Sequence, residues 1–151
     1  KVCVVRSTAG AGHVAEFDVT GSTYAPEGLI VDGGGTVVEH PADQPCVLHV
    51  AMCASLCNDT AVLYNAEAAK YEQLGESTEA ALRVLAEKIG LPGFDAMPSA
   101  LTRLSKQERA AYCAGYWEKQ FKRVGQLDFT RDRKMMSVLC RRKDQEILFV
   151  K

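Results

Sequence analysis

The spacing of apolar residues changes period several times along the chain, and each change predicts an element. Residues 1–7 carry Val2, Val4 and Val5 and read as a strand. Ala9-Gly10-Ala11-Gly12 is turn chemistry, and Glu16-Phe17-Asp18-Val19-Thr20 alternates polar and apolar, which predicts a hairpin returning along the first strand. Residues 20–28 and Gly33-Gly34-Gly35 are loop and breaker segments. From about Pro45 to Cys57 the spacing is helical, and Asn58-Asp59 stops it. Ala61 to Asn65 reads as a short strand, and residues 71–75 lead into a helix opened by Ser77 or Thr78. Ala81, Leu82, Leu85 and Ile89 are its expected buried face, with Gly90 and Pro92-Gly93 ending it.

Residues 94–104 are weakly patterned and read as loop. Ser105 with Glu108 three positions on makes a capping box, which introduces a helix with Ala110, Cys113, Ala114, Trp117 and Phe121 on one stripe. Residues 126–141 read as two strand pieces broken near Arg133. Residues 146–151 form a last strand with Ile147, Phe149 and Lys151 on one side. Strands and helices without regular β-α alternation predict an α+β domain: a mostly antiparallel, twisted sheet flanked by helices. The chain stops on a strand-like run, which predicts a fragment whose sheet is incomplete at its C-terminus.

Composition narrows the functional classes. At 151 residues a single domain, 1–151, is expected. A net charge of −1 offers no global field for nucleic acid or anionic lipid, so any basic site must be local. No apolar run reaches the roughly 18–20 residues that span a bilayer. Six cysteines without a C-x-x-C pair predict reduced thiols rather than a disulfide scaffold. Cys46, His49, Cys53 and Cys57 would form one helical stripe. Its ends lie roughly 16 Å apart along the axis, too far to converge on one tetrahedral ion, so a core stripe is the reading. Neither glycine cluster has the lysine and following helix of a phosphate loop, and His13, His40 and His49 lack a triad context.

Two segments carry candidate chemistry. Residues 127–134 place Phe129 among Asp128, Arg131, Arg133 and Lys134. If the segment is extended, Leu127, Phe129 and Arg131 share a face, and a ring beside a guanidinium can stack a base while the cation meets phosphates. The alternative is a solvated strand end with one core aromatic. Gly75-Glu76-Ser77-Thr78-Glu79 stands where a strand meets a helix. One carboxylate suffices to favour the helix dipole, and a second could face a cleft and accept from an exocyclic amine such as adenine N6.

These residues lie within a wider resemblance. Thr20-Gly21-Ser22-Thr23-Tyr24-Ala25-Pro26-Glu27-Gly28, Ala54-Ser55-Leu56-Cys57-Asn58-Asp59, the Gly75-Glu76-Ser77-Thr78-Glu79-Ala80-Ala81-Leu82 part of 71–82, and Phe129-Thr130-Arg131-Asp132-Arg133-Lys134-Met135-Met136-Ser137-Val138 resemble, in order, the nucleotide-binding domain of P-type calcium-transporting ATPases of the reticulum class. Phe149-Val150-Lys151 matches the start of that family's Phe-Val-Lys-Gly-Ala-Pro-Glu stretch. The resemblance implies that Phe129 stacks on adenine, that Glu79 faces its amino group with Thr78 beside it, and that Arg131, Lys134 and Lys151 line the phosphate side. It implies ATP as ligand, Mg2+ arriving with it, and Ca2+ as a cargo of the parent that is not bound here. It further implies phosphorylation and actuator domains as partners within the parent, and a place on the cytosolic face of the endoplasmic reticulum with no membrane contact of its own. The phosphorylated aspartate of the family's Asp-Lys-Thr-Gly-Thr motif is not among these residues, so the fragment is expected not to hydrolyse ATP. The alternatives are a pump with another cation cargo, or a non-enzymatic nucleotide or nucleic-acid binding module.

Overall fold

In chain order the elements are β1 (Val2–Thr8), β2 (Ala11–Val19), β3 (Ile30–Asp32), a 3-10 turn (Pro41–Asp43), α1 (Pro45–Leu56), β4 (Ala61–Asn65), β5 (Lys70–Leu74), α2 (Ser77–Ile89), α3 (Lys106–Arg109), α4 (Tyr112–Gln120), β6 (Lys122–Leu127), β7 (Ser137–Arg142) and β8 (Gln145–Val150). The computed structural model describes residues 1–8, 10–93 and 103–151. Most of the loop expected over 94–104, and Ala9 of the first turn, lie outside the described residues. Among the described residues no helix is long and apolar enough to cross a membrane.

The α+β class holds, with every strand pair antiparallel. Among the described residues the strands form three sheets: β1-β2-β3, β4-β5 and β6-β7-β8. The expected first hairpin forms, with Val2 opposite Phe17 and Thr8 opposite Ala11. Helix α1 is apolar on two sides because it serves two cores. Val47, Ala51 and Ala54 pack with Val2, Val4, Phe17 and Ile30 of the first sheet and Ala86 and Ile89 of α2. Met52, Leu56 and Cys57 pack instead with Trp117, Phe121, Val138, Cys140 and Phe149. A helix packed into two cores keeps only a narrow open side, which carries exposed His49, so 45–56 reads as nearly continuous apolar sequence.

Three local expectations need correction. In α2 the buried residues are Ala80, Val84, Ala86 and Ile89, while Ala81 is exposed and Leu82 and Leu85 are half-buried. The helix is contacted by α1, α4 and β4, so its core face is wider than one stripe and rotated from the expected one. Its N-cap is Glu76, one residue before Ser77, and no side chain caps it there. The expected helix after Ser105 is two pieces, α3 and α4. The capping box itself is present, with Ser105 and Glu108 exchanging hydrogen bonds. Phe121 is buried but stands beyond α4 at the entry to β6.

The Asn58-Asp59 stop is a built corner. Asn58 is 1% exposed; its amide donates to the Ala54 carbonyl at 3.0 Å and the Glu79 carbonyl at 2.8 Å. Its oxygen accepts from the Thr60 N–H at 2.9 Å and the Thr60 hydroxyl at 2.7 Å. Both donors and both lone pairs of the side chain are thus used, tying the end of α1 to the start of α2. Gly75 has φ 110°, and a Cβ there would lie 2.8 Å from Thr60 Cγ2, so the turn into α2 accepts only glycine. Asn58→Leu should therefore lower the unfolding free energy by about 2–4 kcal/mol, since it strands the buried Thr60 groups. Denaturant titration checks this, and a loss below about 1 kcal/mol would mean the corner is not held by that amide.

Candidate functional site

Strand β6 ends at Leu127, which pairs with Ser137, and Ser137 pairs in turn with Val150 on β8. Everything attached to this row shares one end of the third sheet. Residues 128–136, between β6 and β7, are not the extended segment the alternation argument assumed. They fold back through a turn at 131–133, with Lys134 at φ 55° and its N–H donating to the Thr130 carbonyl at 2.8 Å. Arg133 pins the turn: its guanidinium donates to the Asp128 carbonyl at 3.2 Å and to Ser137 Oγ at 2.7 Å. Phe129 is left 59% exposed, so it is no core aromatic. Arg131 and Lys134 are exposed on the same loop.

Two other expected residues meet at this end of the sheet. Lys151 continues β8 beyond Val150, and its backbone N–H and C=O exchange hydrogen bonds with Met136 at 3.0 and 2.8 Å. It lies on the side of the strand that carries half-buried Ile147 and buried Phe149, as the alternation predicts. Its ammonium stands 2.7 Å from Glu79 Oε1 in the first turn of α2. Both side chains are largely shielded from solvent. Such a pair feels a lower dielectric than a surface pair, and removing one member leaves a poorly solvated charge.

Thr78 faces elsewhere. It is exposed and lines a cavity of about 530 Å³ with Val19, Gly21, Tyr24, Leu85 and Lys88. The cavity is bounded by the 20–28 loop, which is fastened to α2 by Lys88: the ammonium donates to the Thr20 carbonyl at 2.7 Å. Gly28 has φ 153°, and a Cβ there would sit 2.5 Å from the Thr20 carbonyl oxygen, so this loop closes only with glycine at that position.

The sequence offered no signal for Arg123. From β6 it reaches the end of α1 and donates to Asp59 Oδ1 at 2.7 Å, Gln126 Oε1 at 2.7 Å, the Leu56 carbonyl at 2.8 Å and the Asn58 carbonyl at 3.0 Å. Helix α1 has no basic residue in its own last turn, and this guanidinium supplies the positive charge its C-terminal carbonyls favour. Burial acts to raise the Asp59 pKa, but the hydrogen bond and charge of Arg123, with the Gln126 amide and Lys151, outweigh it and hold the carboxyl below its ordinary value of 3.8.

The Cys46–Cys57 stripe borders an open cleft rather than lying wholly in the core. Cys46, His49 and Cys53 line about 370 Å³ together with Leu82, Val150 and Lys151, and only Cys57 is buried. Burial raises the Cys53 thiol and pushes Cys57 up to about 11, so both stay protonated at neutral pH. Among the described residues no group of three or more His, Cys, Asp or Glu is placed to hold a metal ion.

Residues 46–151 match the family described as P-type ATPase, cytoplasmic domain N. The chain belongs to that family. Across all of its 151 residues this N domain is 59% identical to "Calcium-transporting ATPase 3, endoplasmic reticulum-type" of Arabidopsis thaliana, and it spans 15% of that protein's length. The resemblance read from the four sequence stretches is thereby supported over the whole chain. Within the N domain, the structure brings Glu79 and Lys151 together at the sheet end from which the Phe129 loop projects, and it sets Thr78 against the cavity under the 20–28 loop.

The lowered Asp59 pKa has a stability consequence. A carboxyl whose folded pKa lies below its unfolded one contributes stability above the unfolded value and loses it as pH falls through the folded one. Asp59→Asn should therefore be less stable than the parent chain above pH 3.8, with the gap closing as pH drops below that value. Thermal unfolding across roughly pH 3 to 6 reads this out. A gap of constant size would show that the Arg123–Asp59 contact contributes nothing through charge.

Proposed function

We propose that this N domain binds ATP, with the Phe129 ring stacked on adenine, and that in its parent it delivers the γ-phosphate to an aspartate of a neighbouring phosphorylation domain. The observation carrying this reading is the large exposed ring of Phe129, held on a pinned loop at the sheet end where Lys151 meets Glu79. An aromatic side chain exposed to water on a constrained loop is suited to stacking, worth roughly 1–3 kcal/mol per base elsewhere. In this reading Glu79, already paired with Lys151, accepts from the adenine amine, while Thr78, one residue before it, borders the neighbouring cavity. Arg131 and Lys134 offer exposed cations to a polyanionic tail. Magnesium accompanies the triphosphate, since the described residues present no carboxylate cluster of their own for it.

Phosphoryl transfer depends chiefly on positioning and charge neutralisation, so a domain that grips the nucleotide and carries it to the reacting aspartate is chemically sufficient. The parent activity is read as ATP-driven calcium transport, with actuator and phosphorylation domains as partners, at the cytosolic face of the endoplasmic reticulum. Support comes from the 59% identity to a protein named for that activity and membrane. A P-type pump with another cation cargo would need the same N-domain chemistry, and transport assays of the parent separate the two. A nucleic-acid module is disfavoured by the net charge of −1.

Phe129→Ala should weaken ATP binding by roughly 5–150-fold, the equivalent of the stacking energy. An unchanged dissociation constant by titration calorimetry would refute the stacking role. Lys134→Ala should flatten the salt dependence of ATP binding, because it removes an exposed cation from the phosphate side. A slope equal to that of the unsubstituted chain would count against that assignment.

A further inference from the structure

Arg123 and Gln126 are three positions apart, and on a regular strand they would face opposite sides of the sheet. They meet because the ladder slips: Arg123 pairs with Cys140, whereas Gly125 pairs with Leu139. The extra residue, Val124, makes a bulge, and bulges re-aim the side chains that flank them. The result brings Arg123 Nη1 to 2.7 Å from Gln126 Oε1. The Gln126 amide nitrogen then donates to Asp59 Oδ2 at 2.8 Å and to Asp128 Oδ1 at 2.6 Å. Accepting from a guanidinium while donating to two carboxylates is something a primary amide can do and a carboxylate or ammonium cannot.

Asp128 directly precedes Phe129, and it is held twice. Gln126 holds its carboxylate, and Arg133 holds its backbone carbonyl at 3.2 Å. We propose that Gln126, locked by Arg123 against the end of α1, is a positioning residue for the Phe129 ring, fixing through Asp128 where the loop leaves the sheet and which face the ring offers to a purine. This rests on the stacking reading above. A ring oriented in advance loses less conformational freedom when its ligand arrives, so the network favours binding without touching the ligand.

A double-mutant cycle on MgATP binding tests it. Gln126→Leu removes the amide at a solvent-accessible position and should weaken binding about 3–10-fold, the range of coupling within one hydrogen-bonded network. In the Phe129→Ala background the same change should alter binding by less than about 1.5-fold, because no ring remains to be positioned. Asp128→Ala, in the exposed loop and away from the α1 corner, should reproduce the pattern, and thermal unfolding confirms that each variant is folded. Equal losses in both backgrounds, or no loss in either, would overturn the positioning role. If Phe129→Ala alone leaves binding unchanged, the stacking reading itself falls, which is a distinguishable failure and takes this inference with it.

Discussion

The rest of the architecture depends on how the C-terminus of α1 is satisfied. A helix end that stops inside a protein leaves carbonyls facing outward, and here they meet Arg123 and the Asn58 side chain rather than water. Through Asn58 the helix end is joined to the α2 backbone, and through Arg123 it is joined to β6. Arg83 adds a further link, donating from α2 to the Thr60 carbonyl at 3.1 Å. The α1 helix packs into both larger cores, so fixing its end fixes the first sheet, α2 and the third sheet relative to one another.

That corner also explains why the site residues lie where they do. Glu79 sits one turn into α2, whose start is set by the Asn58 amide and by the glycine turn at position 75. Lys151 is delivered by β8, whose register against β7 is set by Phe149 and Ile147 packing on the α1–α4 core. Neither residue is close to the other in sequence, and the 2.7 Å contact between them exists because two separately determined elements converge on α1. The Phe129 loop belongs to the same end of the sheet but is controlled differently, by the guanidinium of Arg133 within the loop and the amide of Gln126 beneath it.

Another helix terminus is handled by the same device. Helix α4 lacks a side-chain cap of its own, and the Glu87 carboxylate of α2 accepts from the Cys113 and Ala114 N–H groups at 2.8 and 3.0 Å. Burial of Glu87 raises its pKa, while these two backbone donors act in the opposite direction. A carboxylate reaching from one helix to the N-terminus of another substitutes for a local cap, so α4 starts at Tyr112 without a capping side chain at its own N-cap. The sequence showed the Ser105–Glu108 box, whose partners are three residues apart, and hid the Glu87 cap, whose partners are separated by more than twenty-five residues.

What the sequence by itself determined is whatever depends on near neighbours or on period: the first hairpin, the apolar run of α1, the capping box, the alternation of Ile147, Phe149 and Lys151, and the family membership carried by four ordered stretches. Only the tertiary structure decided which face of α2 is buried, that the 128–136 segment folds back rather than extends, that Lys151 pairs with Glu79 while Thr78 faces another cavity, and that Arg123 meets Gln126. For the α2 face, the Lys151–Glu79 pair and the Arg123–Gln126 contact the physical reason is shared: each depends on a partner distant in the chain or on a one-residue slip in strand register, and neither leaves a trace in local periodicity. The 128–136 turn is held instead by side-chain bonds of Arg133 within the loop, which alternation of apolar residues does not encode.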